Sequence, residues 1–283
     1  MDGSRGQGAG VLSMKGRESG MPDEAYWDSF FQPDGILDRL LVTQGGCYNL
    51  VEFGCGYGTF SLPAAKRTRG TVTALDIEPV MVELVAERAK ADGLLNVRTE
   101  LRDFVEQGTG VPDCSQGHAM LFNLLHIEDP LALLREAYRT LRPGAILSVI
   151  HWRCDIETPR GPPLEIRPKP EQCAAWLAET GFDSVVHVDL GQSAPYHFGL
   201  QSFVVGSSIG CSWPATAGEF CISWSDAMSL SSQLNRDLAA IALGLWICEF
   251  PLRDASGTGC FLMDEPDGQR YALPTGVAHR TPA

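Results

Sequence analysis

At 283 residues the chain is long enough to bury a full hydrophobic core, and its 44% apolar and 20% charged content are those of a globular protein. A formal net charge of -13 with a pI near 4.8 argues against a protein that wraps nucleic acid, because phosphate contacts need clustered Lys and Arg. The densest basic stretch, Lys66, Arg67 and Arg69, reads as a solvated helix end. No apolar run approaches a membrane span, and the N-terminus lacks a secretory pattern. The nine cysteines are scattered without C-x-x-C pairs. They read as reduced thiols, mostly small buried hydrophobes, in a cytoplasmic protein without a metal site.

Residues 1–20 are rich in Gly, Ser and charge without periodicity, and read as a disordered leader. Asp23 is placed to N-cap a short helix carrying Tyr26, Trp27, Phe30 and Phe31. A second helix follows Pro33, with Ile36, Leu37, Leu40 and Leu41 at helical spacing. An apolar strand from Tyr48 to Phe53 then runs into Gly54-Cys55-Gly56-Tyr57-Gly58, and a helix opens near Thr59 and runs to Thr68. Glycines let this turn bend tightly and let a ligand approach the backbone. In open α/β sheets such a loop between strand end and helix start is where nucleotides bind.

The strand from Thr71 to Leu75 ends in Asp76, about 20 residues past the glycines, where a carboxylate can accept hydrogen bonds from ribose hydroxyls. The third glycine comes one position early for a dinucleotide fingerprint, and Thr59 stands where that fingerprint needs glycine. The loop therefore suits a nucleoside with an amino-acid tail better than a pyrophosphate. Glu78-Pro79 starts a helix with Met81, Leu84, Val85 and Ala89 on one face, and Gly93 stops it. Strands follow at Asn96–Leu101 and His118–Phe122, a helix behind Asp129-Pro130, a break at Arg142-Pro143-Gly144, and a strand at Ala145–Ile150. The proline- and arginine-rich segment 155–170 is too long for a simple turn and reads as a substrate loop, in which Arg160 and Arg167 could meet an anion. A helix over Glu171–Thr180 and two strands, Ser184–Val188 and Phe198–Val205, complete the pattern.

From Gly206 the composition changes. Leu230, Leu234, Leu238, Ile241 and Leu245 mark an amphipathic helix over about 226–248, and Gly259–Leu273 reads as a hairpin around Pro266-Asp267-Gly268, with the rest irregular. A leucine stripe needs a surface to pack on, which makes this segment a candidate for oligomerisation. The reading is thus a leader (1–20), a binding domain (21–205) and a C-terminal extension (206–283).

The glycine loop resembles the first motif of class I S-adenosylmethionine-dependent methyltransferases, and Leu141-Arg142-Pro143-Gly144 resembles their helix-to-fifth-strand turn. The resemblance implies a Rossmann-like, seven-stranded, mostly parallel sheet with helices on both faces, binding S-adenosyl-L-methionine. It implies that Glu52, Gly54, Gly56 and Gly58 shape the pocket for the amino-acid tail. Asp76 holds the ribose, Asp103 accepts from the adenine amino group, Phe104 covers the adenine face, and Asn123 lines the methionine side. Tyr26 and Trp27 would fold over the cofactor from the N-terminal segment. Relatives usually carry an aspartate where this chain has Gly117.

The implied reaction is in-line methyl transfer to a small-molecule acceptor. No catalytic base announces itself; His126, His151, Tyr196 and His197 are candidates by location. Two other readings stand beside this one. An NAD-dependent oxidoreductase would use the same fold but fits the glycine spacing poorly. A non-catalytic nucleoside-binding protein is open because fold does not fix function.

Overall fold

A computed structural model describes residues 21–42 and 45–204, together with the backbone of 252–253, 259–264 and 270–274. The leader and the predicted helix at 226–248 lie outside the described residues.

The core is a seven-stranded sheet in the order β3-β2-β1-β4-β5-β7-β6. Its parallel part comprises β1 (Leu50–Phe53), β2 (Val72–Asp76), β3 (Val97–Leu101), β4 (Gln116–Phe122) and β5 (Leu141–Trp152). Two antiparallel strands, β6 (Asp183–Val188) and β7 (His197–Phe203), close the far edge. Every residue of β1 and β2 is buried, as expected for strands covered on both faces.

Alternate strand residues feed two cores. Val51, Phe53, Leu121, Leu147 and Val149 pack with Leu133, Leu134 and Ala137 of α5 (Pro130–Thr140) and Cys173 and Leu177 of α6 (Pro170–Glu179). Leu50, Met120, Phe122, Ile150 and Trp152 pack on the other face. Their partners there include Ile36 and Leu37 of α2 (Pro33–Arg39) and Ala64 and Ala65 of α3 (Ser61–Arg67). Val85 of α4 (Pro79–Ala91) packs with Ala74 and Cys55.

The first helix, α1, is shorter than its sequence pattern predicts. It covers Glu24–Asp28 behind an Asp23 cap, and Phe30 and Phe31 follow it in a turn, both buried. Pro33 bars any continuation into the next helix, since the residue before a proline is biased away from helical backbone; Gln32 is extended.

The break at 142–144 also differs. Helix α5 ends at Thr140, and β5 starts at once with Leu141 opposite Gln116. The register then shifts before His118 meets Ile146. Pro143 has no N–H for the ladder, and Gly144 has φ +75° and donates to Val204 O at 2.7 Å, so the segment becomes a bulge inside the strand.

In the extension, β8 (Leu252–Arg253), β9 (Gly259–Asp264) and β10 (Arg270–Pro274) form an antiparallel sheet, in which β9 and β10 pair as the expected hairpin over 259–273 and β8 is an added strand. The uniform reading of the cysteines as reduced thiols fails at Cys114, which is disulfide-bonded. Cys47, Cys55, Cys154 and Cys173 are free.

Candidate active site

The strand order reverses between β1 and β4, so their carboxyl ends open a crevice at that point. On the β1 side, Gly54, Gly56 and Gly58 have φ of +71°, +50° and +78°, the left-handed region that L side chains avoid. Two of them also carry close neighbours: a Cβ on Gly56 would meet Met21 Cε at 3.0 Å, and one on Gly58 would meet Val85 Cγ2 at 3.0 Å.

Acidic side chains hold this loop. Asp76, at the tip of β2, accepts from Gly56 N through Oδ2 at 2.8 Å and from Glu78 N through Oδ1 at 3.0 Å. Burial pushes its carboxyl up, while the backbone N–H groups of Glu78, Gly56 and Ile77 hold it back. Glu52 lies below the loop, fully buried, and accepts from the Ser61 hydroxyl at the start of α3. Burial pushes its carboxyl up to about 8, opposed by the Ser61 hydrogen bond and reinforced by Asp76. Glu52 therefore ties the end of β1 to the start of α3.

Past β3, Asp103 Oδ1 accepts from Val105 N and Glu106 N, both at 3.2 Å, as a capping side chain does. Phe104 packs edge-on against Phe53, ring centroids 5.4 Å apart. Asn123, immediately after β4, has φ +59° and donates its N–H to Ile150 O at 2.7 Å. Its side-chain Oδ1 and Nδ2 are both buried without a hydrogen-bond partner. Buried amides are almost always paired, so Asn123 stands out at this strand end with its full hydrogen-bonding capacity unused.

The N-terminal segment lies over the loop, held by contacts of long sequence separation. Trp27 Nε1 donates to Thr59 Oγ1 at 3.1 Å, and Tyr57 Oη donates to Pro22 O at 2.6 Å. Arg88 of α4 donates to Glu24 Oε2 at 2.8 Å and to Tyr57 O at 3.1 Å. Tyr26 Oη reaches to the other wall, donating to Pro159 O at 3.0 Å. Sequence reasoning found Tyr26 and Trp27 but missed Met21, Arg88 and Thr59 as parts of this cover; no local pattern marks them.

The histidines lie on β5, on β7 and past the end of β4. The register pairs Trp152 with His197 and His151 with Phe198, which sends the two histidines to opposite faces of the sheet. His197 is wedged between Trp152 and Phe31, centroids 4.1 and 4.7 Å away, with both ring nitrogens buried and unpaired; burial pushes it down to about 3. Tyr196 packs edge-on against Phe30. On the opposite face His126 and His151 are in contact.

Arg167 organises the substrate loop predicted from sequence. Its Nε donates to Pro162 O at 2.7 Å, Nη1 to Arg153 O at 2.8 Å and Thr158 Oγ1 at 2.7 Å, and Nη2 to Arg160 O at 3.2 Å. Its charge lies 5.9 Å from the Trp152 ring centre, and no carboxylate among the described residues forms an ion pair with it. Arg167 thus spends most of its donors on its own loop rather than on an approaching anion.

Residues 50–144 match the family described as a methyltransferase domain. The solved structure of a SAM-dependent methyltransferase from Aquifex aeolicus superimposes with a TM-score of 0.55 at 26% identity, covering 65% of this chain and 95% of that one. Residues 50–144 thus carry the methyltransferase domain of the class I S-adenosylmethionine-dependent family.

Two curated relatives are similar over part of the chain. One is an uncharacterised 37.1 kDa protein in transposon Tn4556 of Streptomyces fradiae, 32% identical over 55% of this chain and 46% of its own length. The other is a demethylmenaquinone methyltransferase of Listeria welshimeri, 31% identical over 40% of this chain and 48% of its own length. The matches thus span about half the length of these relatives. The fold is also that of a [4+2]-cyclase, at TM-score 0.50 and 20% identity. Among the described residues, no helix is long and apolar enough to cross a membrane, and no cluster of His, Cys, Asp or Glu has metal-site geometry.

Proposed function

We propose that this protein transfers the methyl group of S-adenosylmethionine to a small organic acceptor held over the carboxyl ends of β4 and β5. Bound S-adenosylmethionine supplies a methyl already activated on a sulfonium. The chain then has to bind, align and exclude water. The glycine loop leaves room for the amino-acid tail, Asp76 keeps lone pairs for ribose hydroxyls, and Asp103 keeps Oδ2 for the adenine amino group. The observation that carries the reading is Asn123, whose unpartnered amide beside the loop offers both a donor and an acceptor to the methionine end.

Support for a small acceptor comes from enclosure. The bond from Tyr26 to Pro159 joins α1 to the substrate loop, bridging the crevice, which suits a compact molecule better than a polymer. The relatives named demethylmenaquinone methyltransferase also have a small molecule in their name.

The test is label transfer from tritiated-methyl S-adenosylmethionine into a cell extract split into an ultrafiltered small-molecule fraction and a macromolecular fraction. The expected result is label in organic-extractable small molecules. Label confined to protein or nucleic acid would contradict the small-acceptor reading.

A further inference from the structure

Two histidines at the ends of β4 and β5 form a chain with a defined direction. His151 Nδ1 lies 3.3 Å from the backbone oxygen of Trp152. His151 Nε2 lies 3.3 Å from His126 Nδ1. A carbonyl oxygen can only accept, so His151 Nδ1 carries the ring proton. His151 is fully buried with no carboxylate bonded to it, and a neutral imidazole holds one proton. Its Nε2 is therefore a bare acceptor, and His126 Nδ1 is the donor to it. His126 in turn is left with a lone pair on Nε2. That nitrogen has no hydrogen-bond partner among the described residues, and it is not sealed in the core: the His126 ring is half-buried.

The surroundings keep both rings neutral. Phe198 of β7 lies against His151, ring centroids 6.0 Å apart. Arg167 of the substrate loop is the charged group acting on both, and His197 lies on the opposite face of the sheet. Burial holds His126 below the usual histidine value, with Arg167 adding to it, and pushes His151 down to about 3. A proton on Nδ1 is the less favoured form of free histidine, so the carbonyl at Trp152 imposes on His126 a state it would not choose alone.

The geometry points to His126 Nε2 as the proton acceptor of the methyl-transfer step, with His151 as its positioning residue, and so to an acceptor molecule that bears an ionisable hydroxyl. This rests on the methyltransferase reading above. The hydroxyl O–H bond breaks and its proton passes to His126 Nε2. The oxygen electron pair forms the new O–C bond to the methyl carbon, and the S–C bond breaks with its pair left on sulfur. The positive charge of the sulfonium is replaced by that of the His126 imidazolium, which returns its proton to water after product leaves.

The test uses the full chain labelled with 15N-histidine and long-range 1H–15N correlation spectra, with a His126→Gln sample for assignment. The expected wild-type spectrum has His126 protonated on Nδ1 and bare on Nε2. Phenol added with S-adenosylhomocysteine should shift the Nε2 resonance as it accepts the hydroxyl hydrogen bond. In His151→Phe the His126 proton should return to Nε2. A wild-type His126 protonated on Nε2, an Nε2 resonance indifferent to phenol, or a tautomer unchanged in His151→Phe would overturn the assignment. Calorimetry with S-adenosylhomocysteine on the same samples separates the two levels. Loss of cofactor binding with the tautomer intact sinks the methyltransferase reading. A wrong tautomer with binding intact sinks this inference alone.

Discussion

Glu52 is a carboxyl group in an apolar position, and its effect on stability has a definite sign. The unfolded chain releases this proton near its ordinary value of 4.5, whereas the folded chain holds it to about 8. The folded state therefore binds the extra proton between those values, and stability falls as pH rises through that window. The full effect is on the order of a few kcal/mol, since each tenfold difference in proton affinity between the two states is worth about 1.4 kcal/mol. Glu52→Gln keeps an acceptor for the Ser61 hydroxyl and has no proton to lose. Urea unfolding at pH 5 and pH 8 should show the wild type losing stability relative to Glu52→Gln. Parallel behaviour of the two proteins would show that Glu52 is charged in the fold.

Residues differ in how far the sequence reveals them. Gly54, Gly56, Gly58 and Asp76 are legible because only a tight turn at a strand end needs that spacing, and their conformations and bonds follow it. Asn123 could be placed near the crevice from its position after β4, but its left-handed backbone and orphaned amide depend on how β5 pins its N–H. His126 and His151 were legible as candidates by location, but their pairing was out of reach, because they meet only once β4 and β5 are neighbours.

Among the elements, those with strong period or strong punctuation were readable: the buried parallel strands, α4 behind Pro79, α5 behind Asp129-Pro130. Boundaries that depend on tertiary pairing were not, as the bulged start of β5 and the early end of α1 show. Residues 155–167 have no periodicity of their own, and the structure supplies the reason they hold a shape: one guanidinium bonds several of their oxygens. Each such bond is worth about 1 kcal/mol net. Arg167→Gln should therefore open the loop without unfolding the sheet. Trypsin cleavage after Arg160 should accelerate about tenfold or more, while the affinity for S-adenosylhomocysteine stays unchanged. An unchanged cleavage rate would mean that other contacts fix the loop.

For the whole molecule, topology does most of the work. The strand reversal between β1 and β4 creates the crevice. The glycine loop and Asp76 build one wall, β5 with His151 the other, and α1 spans them through bonds to Thr59, Arg88 and Pro159. The two walls were foreseeable from the alternation of strands and helices. The cover was foreseeable only by resemblance, because its contacts link residues up to 133 positions apart. The same fold in a [4+2]-cyclase is a reminder that chemistry is set by the groups in the crevice rather than by the sheet.

The most direct test is calorimetric titration of the full chain with S-adenosylmethionine, S-adenosylhomocysteine and NAD, beside an Asp76→Asn variant. Saturable binding of both adenosyl ligands and none of NAD is the expected result. The variant should lose about tenfold or more in affinity, since hydrogen bonds to a charged group contribute about 1.5–3 kcal/mol. No adenosyl binding, binding indifferent to Asp76→Asn, or NAD bound in their place would contradict the assignment of this crevice to S-adenosylmethionine.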